Sequence, residues 1–188
     1  MMIECSRIYD VFKKAKLFNF RSGANFNNYL QQFANFPDDG IYLMFEAGEI
    51  NQFGSRVVRI GINTTGSLAA RLNKHINGNN GNSIFRRHLF RILGSDEQVT
   101  DHIQKKISFC IIRGPRGLEN RRMIEKELIG TFSNYLSDCN DCRPSFVWLG
   151  RESQNLRIKN SGLWNVHHVN HGHGLTSGHF DYIERHVY

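Results

Sequence analysis

The sequence predicts an α/β (α+β) fold, a small mixed or antiparallel three-stranded sheet flanked by helices. Three observations carry this. Gly40-Ile41-Tyr42-Leu43-Met44-Phe45 and Arg56-Val57-Val58-Arg59-Ile60-Gly61-Ile62 are apolar runs of strand length. The segment between them, Glu46 to Ser55, contains Gly48, Asn51 and Gly54, so the pair reads as an antiparallel hairpin. Ile107-Ser108-Phe109-Cys110-Ile111-Ile112 reads as a third strand. Around these runs apolar residues recur at helical spacing.

Side chains alternate faces along a strand. Ile41, Leu43 and Phe45 therefore share one face and Tyr42 points the other way. On the second strand Val58, Ile60 and Ile62 share a face, opposite Val57 and Arg59. If the aliphatic faces coincide, Tyr42 and Arg59 lie on the same side of the sheet.

Residues 6 to 36 look helical. Ile8, Val11, Phe12, Ala15 and Phe18 form a stripe, Arg21 to Asn25 breaks it, and Phe26, Tyr29, Leu30, Phe33 and Phe36 resume it. Pro37-Asp38-Asp39-Gly40 ends the second helix. The chain so divides into a helical N-terminal extension, 1–36, and a main domain, 37–188. After the hairpin, Ser67 is an N-cap. Leu68, Leu72 and Ile76 follow as a stripe flanked by Arg71 and His75, which are four apart. A helix from Ser83 to Leu93 turns Phe85, Leu89 and Ile92 inward and Arg86, Arg87 and Arg91 outward. A helix from Glu119 to Leu136 buries Ile124, Leu128, Phe132 and Tyr135. It sets Glu125 at the edge of the core and Glu127 on a more exposed face. The tail from Cys139 to Asn170 reads as loop, with Trp148 and Trp164 pinning it to the core. Phe180 to Val187 reads as a terminal helix.

With 188 residues, the chain suits one domain with its own core. It has no apolar run of membrane-spanning length, and Met1 to Arg7 lacks a signal-peptide layout. A cytoplasmic protein is the default expectation. The net charge of +7 and a pI near 9.4 are compatible with a nucleic-acid partner without establishing one. Cys139-Asn140-Asp141-Cys142 has zinc-ligand spacing. A single CxxC without a second pair is a weak zinc signal, and free thiols are the favoured reading.

Taken in order, these pieces resemble the GIY-YIG nuclease family. Gly40-Ile41-Tyr42 matches the first half of its signature, and Arg59-Ile60-Gly61 matches the second with arginine for tyrosine. Arg71-Leu72-Asn73-Lys74-His75 is similar to the family's helical arginine and histidine. Glu125, with Leu128-Ile129 three and four residues on, is similar to its metal-binding glutamate. Phe45 to Glu49, Arg56 to Gly61, Ser83 to His88 and Ser161 to Val169 resemble one bacterial branch in which arginine at the second-tyrosine position is usual. The resemblance spans about residues 37 to 187 and leaves out the CxxC and the His/Gly stretch.

The resemblance implies a GIY-YIG-like core that hydrolyses a DNA phosphodiester with water. Such chemistry needs a base, positive charge for the transition state and help for the leaving oxygen. The implied set is Tyr42, Arg59, Arg71, His75 and Glu125, with Glu125 holding a divalent metal, Mg²⁺ or Mn²⁺. One carboxylate plus waters is an acceptable Mg²⁺ shell. A phenol is a poor base at neutral pH, so Arg59 on its face either favours the phenolate or clamps phosphate. His75 is a candidate proton relay. Arg86, Arg87, His88 and Asn165 are candidate contacts to double-stranded DNA. Bland readings compete: a solvated flank for Arg71 and His75, an ion pair with Arg121 or Arg122 for Glu125, and loop pinning for Trp164 and Asn165. The expected function is a metal-dependent DNA endonuclease with restriction-like cleavage of duplex DNA. Its rival is a non-catalytic nucleic-acid-binding module. The oligomeric state, a homodimer included, is not legible.

Overall fold

The computed structural model describes residues 2–33, 35–138, 142–169, 171–172 and 174–188, with backbone alone for 2–5, 24 and 135–138. The expected hairpin is present and longer than its apolar core. Strand β2 spans Gly40–Asn51 and β3 spans Gly54–Ile62, antiparallel, with Tyr42 opposite Gly61 and Met44 opposite Arg59. The segment expected to connect them is mostly strand. Ile50 pairs with Ser55 and Asn51 with Gly54, leaving Gln52 and Phe53 at the turn. Asn51 Oδ1 accepts the Phe53 N–H at 2.8 Å, which tightens that turn. Strand β4, Ile107–Arg113, lies antiparallel against the other side of β2.

The sheet has four strands, one more than expected, in the order β1-β4-β2-β3. The extra strand, β1 (Phe18–Asn19), pairs with β4. Phe18 was expected on a helical stripe. Instead α1 (Met2–Lys14) stops short of it, and its ring stacks on Phe109 at 5.3 Å. Burying an aromatic across a strand pair outweighs extending the helix by another turn. Segment 1–36 is therefore helical only in part, with β1 between α1 and α2 (Phe26–Gln31).

Both faces of the sheet are covered. Ile41, Leu43 and Phe45 pack with Ile60, Ile62 and Cys110 under α1, α6 (Leu118–Asp138) and α8 (Ser177–His186). Tyr42, Met44, Phe109 and Ile111 pack under α3 (Leu68–Ile76), α4 (Ile84–Leu93) and α5 (Asp96–Lys106). The two valines of β3 depart from simple alternation. Phe45 lies opposite Val57, so Val58 is the extra residue of a bulge, and the valines swap the faces expected of them. The bulge ends before Arg59, which keeps the face of Tyr42.

Two helices were not expected. The apolar signal of α5 is only Val99 and Ile103, too little to show a period. The other, α7 (Leu156–Ser161), is too short to show one. The segment after α7 seals the free edge of β3. Trp164 N donates to Val58 O at 2.7 Å, and the Asn165 side chain donates to Ile60 O at 2.8 Å and accepts from Ile60 N at 3.0 Å. Trp148 and Trp164 are buried, as loop anchors should be. No helix among the described residues is long and apolar enough to cross a membrane.

Candidate active site

The site starts from a cross-strand pair. Tyr42 faces Gly61 directly, and a Cβ on Gly61 would collide with the Tyr42 hydroxyl. The glycine thus lets the phenol lie flat across β3. The hydroxyl reaches His75 Nε2 at 2.8 Å, and His75 Nδ1 reaches Ser83 Oγ at 2.9 Å. His75 sits in the last turn of α3, whose stripe of Leu68, Leu72 and Ile76 is buried as its spacing predicts. The competing reading of a solvated flank does not hold at His75, since its ring is fully buried. Burial, and then the charges of Arg59, Arg71 and Arg86, hold its pKa well below the ordinary 6.5, so it is neutral at pH 7.

Arg59 is 6% exposed. One Nη1–H donates to Trp164 O at 2.8 Å, and the guanidinium lies 5.3 Å from the centre of the Phe85 ring. Its Nε is buried with no hydrogen-bond partner among the described residues. Arg71, one turn before His75, is half-buried, and its guanidinium has no hydrogen bond or ion pair with a described residue. Glu125, on α6, is also half-buried. The ion pairs that competed for it go elsewhere: Arg121 Nη1 meets Asp39 at 3.0 Å, and Arg122 Nη1 meets Glu119 at 2.6 Å. Burial pushes the Glu125 carboxyl up to about 7, and Arg59 and Arg71 pull it the other way. The five residues come from two strands and two helices; Tyr42 and His75 touch, and the charges of Arg59 and Arg71 act on both His75 and Glu125.

The candidate DNA contacts are placed differently. Arg86 does not point outward; it is 1% exposed. It donates to His75 O and Ile76 O at 3.2 and 2.9 Å, to Asp96 O and Oδ1 at 3.2 and 3.0 Å, and to Thr100 Oγ1 at 3.1 Å. It ties the end of α3 to the start of α5, so it is unavailable to phosphate. His88 is buried, and burial, then Arg91, Arg59 and Arg87, lower its pKa to about 4. At neutral pH it offers no positive charge. Both ends of the Asn165 amide are taken by Ile60, as loop pinning requires. Arg87 alone of the four is exposed, its guanidinium resting on Asn80 O and Gly81 O. Glu127 is also corrected: its side chain is only 12% exposed and meets His171 Nε2 at 3.2 Å.

Ser83 is the residue of this site that sequence reasoning missed. It was read only as the start of a helix. Its position before the apolar run of α4 marks an N-cap, but nothing in the sequence says that the same hydroxyl faces His75.

Glu125 is the residue that could hold a divalent cation. Its carboxylate has no hydrogen-bond partner among the described residues, and a cation there would favour its charged form. A single carboxylate fits Mg²⁺ or Mn²⁺, which retain water ligands. Among the described residues no group of three or more His, Cys, Asp and Glu is placed to share a metal. Cys139 and His173 lie outside the described residues; Cys142 is buried.

Compared with known proteins, the chain matches the family model described as the GIY-YIG domain over residues 3–108 and 91–188. No curated protein and no solved structure matches it.

Proposed function

The chain belongs to the GIY-YIG domain family, and from that premise we propose that it is a metal-dependent endonuclease that cleaves duplex DNA in restriction-like fashion. Membership points to endonuclease chemistry. The observation that supports a working enzyme is the convergence of the Tyr42–His75 pair with Arg59, Arg71 and Glu125, three charged groups left with unused bonding capacity. A binding module that had lost catalysis would have no use for a buried phenol–imidazole pair beside an unpaired carboxylate.

The proposed reaction is attack of water on phosphorus, with release of the leaving alkoxide oxygen. Tyr42 acts in its phenolate form, and its oxygen takes the proton of the attacking water to become the neutral phenol. Arg71, unpaired and on the helix flank, and Arg59, held by Trp164 O, stabilise the negative charge that develops on the phosphoryl oxygens. His75 stays neutral and holds the phenol oxygen by its hydrogen bond. Glu125 would hold Mg²⁺ or Mn²⁺, which supplies Lewis-acid stabilisation of the leaving oxygen.

Supercoiled plasmid incubated with Mg²⁺ and, separately, with EDTA tests this. Nicked or linear product with Mg²⁺ alone is expected, and the ends of that product report the target sequence. A protein that retards DNA on a gel yet leaves plasmid intact with both Mg²⁺ and Mn²⁺ would instead be a binding module.

A further inference from the structure

We infer that Ser83 is a positioning residue of this site: its hydroxyl donates to His75 Nδ1 and so fixes the imidazole as the Nε2–H tautomer that donates to the Tyr42 oxygen. The inference rests on the role proposed above for Tyr42. The distances, 2.9 Å from Ser83 Oγ to Nδ1 and 2.8 Å from Nε2 to the phenol, are compatible with either tautomer. The surroundings choose between them.

Ser83 is the N-cap of α4, and its Oγ already accepts the Arg86 N–H at 3.2 Å. The residue is fully buried. Its own proton needs an acceptor there, and Nδ1 lies within reach. If the Ser83 O–H is given to Nδ1, the ring proton is left on Nε2, where it faces the Tyr42 oxygen. The hydrogen bonds then run in one direction: Arg86 N–H to Ser83, Ser83 O–H to His75, His75 N–H to Tyr42. The last oxygen, in the phenolate form that accepts the water proton, receives this hydrogen bond and keeps its remaining lone pairs for the incoming water. The opposite tautomer puts the lone pair at Nε2, which can then only accept from the neutral phenol and gives the phenolate no hydrogen bond.

The ring cannot readily rotate out of this arrangement. It packs edge-on against Phe85 at 5.7 Å and against Tyr42 at 5.4 Å. Arg86 binds the His75 carbonyl as well as capping against Ser83, so α3 and α4 are locked at the residues that face each other. Nor does the imidazole take the phenol proton outright, because its burial among Arg59, Arg71 and Arg86 disfavours the imidazolium. Its contribution is a directed hydrogen bond, and Ser83 supplies the direction.

The test is a long-range proton–nitrogen correlation spectrum of the full chain, metal-free, labelled with ¹⁵N-histidine. The nine histidines are sorted by the signal lost in His75→Gln. Wild type at pH 7 is expected to show His75 with Nε2 protonated and Nδ1 bearing the lone pair. Ser83→Gly preserves most of the N-cap effect and removes the hydroxyl. It should shift His75 to a mixture or to the Nδ1–H form and lower plasmid cleavage about tenfold, with DNA binding unchanged. Ser83→Thr, which keeps the hydroxyl, should restore both the Nε2–H signal and the rate. An Nδ1–H signal in wild type overturns the inference, as does an unchanged tautomer in Ser83→Gly. The spectrum is independent of cleavage. A protein with the expected tautomer that does not cut DNA refutes the proposed function and leaves the positioning of His75 by Ser83 standing.

Discussion

Two clusters of polar groups are buried along the same hairpin, and they differ in how fully their bonds are used. At the turn end, Glu49 accepts from Arg56 Nε and Nη2 at 3.0 and 2.8 Å, from Ser145 N at 3.1 Å and from the Ser145 hydroxyl. Arg56 also donates to Gly162 O at 2.5 Å and stacks over Trp148. Glu46 accepts from the Trp148 and Trp164 indoles at 3.2 and 3.5 Å, and His102 Nε2 lies 3.1 Å from its other oxygen. At the Gly40 end, the Arg59 side chain has one hydrogen bond and an orphaned Nε, while the side chains of Arg71 and Glu125 have neither a hydrogen bond nor an ion pair among the described residues. Burial alone therefore does not mark a functional group. The Glu49–Arg56 pair is closed by its own bonds, whereas the Gly40 end keeps capacity for a ligand.

That contrast breaks most readily at Tyr42 and Glu125. Tyr42→Phe should lower plasmid cleavage by about 10²–10⁴-fold with the fold intact, because the ring still packs but no oxygen accepts the water proton. Glu125→Ala should be equally inactive and still bind DNA within a few-fold, since the carboxylate does not attract a polyanion. Full activity in Tyr42→Phe would move the base elsewhere and dissolve the distinction between the two clusters.

Arg56→Ala should do the reverse. Removing one partner of a buried pair costs about 3–5 kcal/mol, read as a lower urea midpoint, while any folded protein keeps its cleavage rate. An unmoved midpoint would show that the turn-end cluster is not structural.

Acid should weaken the fold through the neutral histidines. His75 and His88 both have folded pKa values below 6.5. As pH falls, the unfolded chain binds protons first, so their contribution is complete above about pH 6.5. It is lost as pH falls from there towards about 4 for His88, and likewise below 6.5 for His75. The loss between pH 7 and pH 5 should be on the order of 1 kcal/mol for His88. Comparing urea midpoints at the two values, with His88→Asn as control, sharpens the picture; a steeper drop in the variant would contradict it.

The smallest effect expected is at Arg87. Arg87→Ala should make the log–log salt dependence of DNA binding shallower by about 0.9 if this exposed guanidinium meets one phosphate. Arg86→Ala should leave that slope alone and lower stability instead. Equal slope changes in both would contradict the burial of Arg86.

These two neighbours show what was legible. Tyr42 and Arg59 could be placed on one face from strand alternation, even though a bulge swapped the two valines between them. Arg71 and His75 could be placed on one flank from helical spacing. By contrast, Arg86 and Arg87 look alike in sequence, and only the arrival of α5 distinguishes them, because Asp96 and Thr100 enclose one of them. Glu127 drew the same error, since the His171 that covers it is 44 residues away.

The sequence by itself determined the hairpin, the shared face of Tyr42 and Arg59 and the stripes of the main helices, because those depend on a backbone period of two or 3.6 residues. Tertiary structure alone decided the fourth strand, where Phe18 found Phe109, and the fates of the polar groups. Trp164 took one bond from Arg59, Ile60 occupied Asn165, Arg121 turned to Asp39, and the Glu125 carboxylate was left without a partner among the described residues. Each partner comes from a distant segment, so whether a charge is satisfied or free is a property of packing that no local pattern records.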